Sequence, residues 1–177
     1  MMVFVITACS NAPPATASQP VAAVSATVPA AAVIDLRPVT ISFQGHTIAR
    51  LFADGRTESA GPNAPGTDLV SGPTLHADGT IVLTKAGVTA RLDKTGNLYV
   101  AGPAGANARE QLFGRISDDQ FAFSGSDRPW NVRVRGNLIE FGEHNSSQID
   151  GDVTPAMRHT ALVMAAAFYL EGALTAP

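Results

Sequence analysis

Cysteine is nearly absent from this chain, with one in 177 residues, so no internal disulfide staples the fold and cysteine usage says nothing about redox compartment. Charge is scarce as well. Charged residues make up 15%, against ~25% in typical soluble domains, and 15 acids against 12 bases leave a formal charge of -3 with no basic run. Binding to a nucleic-acid backbone draws on counterion release by clustered Lys and Arg, so nucleic acid is discounted as a partner. Long apolar runs are missing too. The longest, between Ala161 and Leu170, is bounded by Arg158-His159 and by Glu171, and falls well short of the ~20 residues a membrane-spanning helix needs. Sequence signatures of catalysis are equally lacking: "FSGSDRP" holds no G-x-S-x-G, and the glycines interrupt apolar runs without leading from a strand into a phosphate-binding helix N-terminus. The four histidines, His46, His76, His144 and His159, are dispersed, with no second His or Cys at ligand spacing. No catalytic residue, metal or cofactor is assigned.

What the chain has in quantity is Gly (16) and Pro (12) within 45% hydrophobic content, a balance that favours short strands and turns over long solvated helices. The length suits one domain with one core, burying roughly 70% of its unfolded surface.

The lone cysteine sits in "VITACSN", residues 5–11. Ile6, Thr7, Ala8 and Cys9 resemble the lipobox of bacterial lipoproteins. The resemblance implies a diacylglycerol on the Cys9 thiol, cleavage before it and acylation of the new amino group. Several acyl chains make a durable anchor, at ~0.8 kcal/mol per buried methylene. Ser10 after the cysteine implies sorting to the outer membrane. A secretory signal also carries a positive n-region and an apolar stretch of about 7–15 residues. "MMVFVITA" has neither Lys nor Arg and is short, which reads as a start placed downstream of the true one, or as a truncated fragment. Residues 1–8 are therefore read as a signal-peptide remnant. Residues 9–32, an uncharged Ala/Pro/Ser/Thr/Val tract, cannot bury enough surface to offset their ordering entropy and are read as a tether that its prolines keep extended.

From Val33 the texture changes, and residues 33–153 read as a β-rich repeat domain. "ARLFADGRTESAGP" from Ala49 aligns with "ARLDKTGNLYVAGP" from Ala90 at a shift of 41, pairing Arg50 with Arg91, Leu51 with Leu92, Gly55 with Gly96 and Gly61-Pro62 with Gly102-Pro103. A shift of 40 sets Gly96-Asn97-Leu98 on Gly136-Asn137-Leu138, and Asp78 on Asp118. Three copies result, at about 39–61, 79–102 and 119–142. Within them the side-chain period is two: Val88, Ala90 and Leu92 oppose Thr89 and Arg91, and Trp130, Val132 and Val134 oppose Asn131, Arg133 and Arg135. Gly beside Asp or Asn in "ADGR", "ADGT", "KTGN" and "RGN" supplies the positive φ of hairpin turns. The expected fold is mainly β, an antiparallel meander of about ten short strands closed as a small barrel or sandwich, which removes exposed edges. Three copies are too few for a propeller, and such short strands too short for a transmembrane barrel. Residues 154–172 read as one α-helix of the same domain, with Thr154 as N-cap, Pro155 in the first turn and Gly172 at the end. Because its apolar residues lie on every side, it is expected to plug the barrel or cover the sheet.

One set of polar residues suggests binding. Arg50, Arg91, Arg133 and Arg135 share the outer face of the repeats and would form a basic stripe for an anionic polymer or lipid headgroup if the copies stack in register. Trp130 is expected in the core. Asp118-Asp119 and "DGD" at 150–152 lack the remaining ligands of a calcium loop. Three functions follow. The first is a lipid-anchored envelope protein whose partners are the membrane, through the anchor, and an envelope protein or anionic polymer. The second is a carrier enclosing a small apolar ligand in its barrel, and the third an envelope hydrolase in which His46, His76, Asp118, Glu140 and His144 converge.

Overall fold

The computed structural model describes residues 33–60, 68–101, 109–127 and 130–175. The signal remnant, the tether with Cys9 and both Gly-Pro pairs of the repeat lie outside them. Among the described residues are twelve strands: β1 (Val39–Phe43), β2 (His46–Leu51), β3 (Arg56–Ser59), β4 (Val70–Leu75), β5 (Thr80–Leu83), β6 (Val88–Leu92), β7 (Asn97–Val100), β8 (Gln111–Ile116), β9 (Gln120–Phe123), β10 (Val132–Arg135), β11 (Leu138–Phe141) and β12 (Asn145–Ile149). Each pairs antiparallel with its chain neighbours, and β12 returns to β1, giving a closed barrel. A helix, α1 (Pro155–Thr175), ends the described chain.

Turn chemistry at one end of the barrel fixes the hairpins. Gly55, Gly79 and Gly96 have φ of 85°, 96° and 83°, a left-handed conformation that only Gly adopts freely. A Cβ on any of them would collide with the carbonyl oxygen of Leu75, Leu92 or Ile116 respectively. The glycine carbonyls accept hydrogen bonds from the amides of those same three residues at 2.8, 2.8 and 2.7 Å, tying each turn to the next. An Asp braces each turn: Asp54 Oδ1 accepts from Arg56 N, Asp78 Oδ1 from Thr80 N, and Asp93 Oδ1 from Thr95 N and Asn97 N, the local side-chain bonding that favours Asp in turns. Burial raises the Asp93 pKa, but these bonds with those from the Thr95 hydroxyl and Asn97 amide outweigh it, lowering the pKa to about 2.

The structural unit is therefore the hairpin, and the 41-residue sequence period holds two of them. From Gly55 to Gly96 the chain passes Gly79, whose hairpin matches neither copy in length. At the opposite end the β3–β4 and β7–β8 connections span 60–69 and 101–110, whereas β5–β6 closes in the tight turn 84–87. Alternation of long and short connections makes every second hairpin look alike. The Gly136-Asn137 copy matches in kind with a slip of one residue, because Asn137 O, not Gly136 O, bonds the Ile149 amide at 2.7 Å. Twelve strands form where about ten were expected, since β4 ("VSGPTL") and β12 ("NSSQI") have little intrinsic β-propensity and are held by their neighbours.

The inward residues, among them Ile41, Leu51, Ile81, Leu92, Phe121 and Ile149, are at most 2% exposed. They do not fill the barrel alone. Side chains suffice for about eight strands, and wider barrels leave a lumen. Here α1 occupies it. Every residue from Thr160 to Ala167 is buried, two turns with no face left to water. At the Gly-turn end, Thr160 Oγ1 donates to Asp35 O at 2.7 Å, while the amides of Val33 and Ile34 bond Ala77 O in the β4–β5 turn. At the opposite end, the buried Glu171 accepts from Lys85 N of the β5–β6 turn at 2.8 Å. The rise between Thr160 and Glu171 is about 16 Å, close to the ~17 Å of a five-residue strand. The helix thus threads the barrel from end to end, touching β1, β4, β5, β9 and β10.

Thr154 Oγ1 accepts the Met157 amide at 3.2 Å, the expected N-cap. At the other terminus α1 passes through Gly172 to Thr175, where the Thr175 hydroxyl donates to Glu171 O at 2.8 Å. Gly172 is exposed and lacks the positive φ of a helix-ending cap, so it interrupts nothing. No described helix is long and apolar enough to cross a membrane.

Helix and wall meet closely at Gly72 on β4, where an added Cβ would strike the Phe168 ring and crowd Thr57 Oγ1 at 2.8 Å. The Thr57 hydroxyl itself donates to Pro73 O at 2.5 Å, satisfying a buried group. Overpacking of this kind costs about 1–3 kcal/mol. Gly72→Ala should lower the urea midpoint accordingly, and Phe168→Leu in the same chain should recover part of the loss; independent, additive effects would show that ring and glycine do not meet.

Candidate functional site

The four arginines of the outer face sit on β2 (Arg50), β6 (Arg91) and β10 (Arg133 and Arg135), with three strands between successive positions around the ring. The fold spaces them about the circumference and does not gather them into one stripe. Two of the four also hold an acidic partner, Arg91 and Arg133. Arg50 lies opposite Glu58 in the β2–β3 register. Arg91 holds Glu110 through Nη2 and Nε at 2.5 and 3.0 Å, with its guanidinium 4.9 Å from the Tyr99 ring centroid. Arg133 donates twice to Glu140 Oε2, at 2.7 and 3.0 Å. Arg135 is exposed opposite Leu138.

Trp130 is not in the core. Asn131 Oδ1 accepts the Phe123 amide at 2.8 Å and Asn131 N bonds Phe121 O, so β10 begins at Val132 and Trp130 leaves the pleat before it. The indole is half-buried beneath Arg133, whose guanidinium lies 4.2 Å from the ring centroid, a stacking geometry worth about 0.5–1 kcal/mol at exposed sites.

The residues of the hydrolase reading are spread over the barrel. His46 and His144 flank turns at the end where α1 emerges, whereas His76 and Asp118 lie in turns at the other end. Glu140 is engaged on the wall by Arg133. Among the described residues no group of three His, Cys, Asp or Glu side chains is placed to hold a metal ion. Asp150 of the "DGD" run accepts the Ser42 hydroxyl at 2.6 Å. A small ligand inside the barrel would have to displace α1, which fills the lumen.

Two open volumes lie outside the lumen. The first, of about 530 Å³, runs over the seam where the barrel closes. It lies where β1 and β12 pair at only two positions, Ile41 with Ile149 and Ser42 with Gln148, beside a bulge in the β1–β2 register in which Ile48 is the extra residue on β2. Ser42, Phe43, Gln44 and Gly45 form one bank, and Ser146, Ser147, Gln148 and Asp150 the other, with Leu138 beyond. Asp150 is the only charged residue in this lining. Gln44 has φ 50°, the single non-glycine with positive φ among the described residues, and with Gly45 at φ 80° it forms the two-residue turn between Phe43 and His46, a hairpin type that takes positive φ at both positions. Ser147 is only 7% exposed. Its side chain shares the inner face of β12 with Ile149, opposite Ile139 on β11. The second volume, about 500 Å³, lies where α1 emerges, between Phe123, Ser124, Gly125, Ser126, Asn131 and Tyr169. There Phe123 and Tyr169 meet edge to face at 4.7 Å.

Sequence reasoning passed over the seam groove. A signal was present in "SFQG" and "NSSQ", where neutral side chains occupy outer positions that carry Arg or Glu on β2, β3, β6 and β10. Fold and groove together define a closed antiparallel barrel filled by its own helix, with a cleft on its seam in which Asp150 is the one charged lining residue. Protein-family models, curated proteins and solved structures give no match to this chain.

His159 has its pKa lowered by its surroundings. It lies half-buried on α1 where the helix enters the barrel. Burial pushes its pKa below the ordinary value of 6.5, and Asp118 of the β8–β9 turn pulls the other way. The unfolded chain therefore takes up this proton at a higher pH than the folded one, and stability rises with pH between the two values. His159 contributes stability above pH 6.5 that is lost as pH falls through its folded pKa. The stability difference between wild type and His159→Gln should decline from pH 7.5 to pH 5; parallel pH profiles would contradict this.

Proposed function

We propose that this chain is a lipid-anchored protein of the bacterial envelope whose barrel binds or scaffolds from its outer surface and carries out no chemistry of its own. One observation carries the binding half of the reading: α1 fills the lumen, so the volumes open to a ligand are external. Groups that do acid–base or metal chemistry are set at opposite ends of the barrel or engaged in ion pairs. The anchoring half is supported by Ile6-Thr7-Ala8-Cys9 and by the uncharged tract that follows. Acyl chains on one sulfur and one amino group would hold the barrel beside a bilayer through hydrocarbon burial.

Mass spectrometry of the membrane fraction from the native cell tests this reading. The expected result is an N-terminal peptide beginning at an acylated Cys9, with Cys9→Ala moving the protein into the soluble fraction. An unmodified thiol, with residues 1–8 still attached, would end the anchoring proposal.

A further inference from the structure

We draw no further inference here: the strongest candidate, the exposed apolar side chains of Val70, Leu112, Tyr169 and Leu174 at the barrel end where α1 emerges, carries nothing because nothing in the structure shows what covers them, and the connections 61–67 and 102–108 at that same end lie outside the described residues.

Discussion

The rest of the structure depends on the filling of a wide barrel by a helix of the same chain. Twelve strands enclose more volume than their own side chains occupy, and an empty apolar lumen forfeits the dispersion contacts that hold a core together. α1 supplies the missing atoms. It is buried on all sides from Thr160 to Ala167, and its run of Ala165, Ala166 and Ala167 keeps it slim enough to pass between opposite walls. Barrel and helix are thus interdependent: α1 has no polar face for water, and the wall has no core without α1.

Polar contacts then fix where the helix stops. Thr160 is tied to Asp35 at one mouth and Glu171 to Lys85 at the other, so the buried polar groups nearest each end are satisfied by backbone of the wall. The wall itself is organised at one end by Asp-Gly turns whose glycine carbonyls reach the neighbouring hairpin. With the lumen committed to packing, recognition moves to the exterior. There the arginines are spaced around the ring, and Arg91 and Arg133 are paired with acids.

Much of the fold was legible in the sequence. Glycines beside Asp and Asn marked the turns, the two-residue period of "VTARL" placed Ala90 and Leu92 inside with Arg91 outside, and apolar residues all round the C-terminal segment indicated a buried helix. Barrel closure was left open beside a sandwich, because local patterns do not encode which strand the last one meets. The hairpin repeat was read at double its length, since alternating long and short connections disguise half of the turns. Trp130 was misjudged for a related reason: its parity matches Val132 and Val134, but Asn131 caps β9 with its side chain and ends the alternation. The candidate site was least legible. The groove lies beside a bulge and where two strands pair at only two positions, neither of which has a residue-level signature, and its lining, with Asp150 as the one charged residue, stands out only once the outer faces of all strands are compared. The Arg set was visible as a pattern, but its spacing around the ring is a property of closure.

Native-state amide hydrogen exchange followed residue by residue tests the central claim most directly. If α1 fills the lumen and shares one core with the wall, the amides from Met164 to Ala167 will exchange only through global unfolding, with the same free energy as those of Ile81, Leu98 and Ile139. Exchange of the helix at a lower free energy than these strands, with the wall still protected, would show that the barrel stands without its helix and would contradict the account.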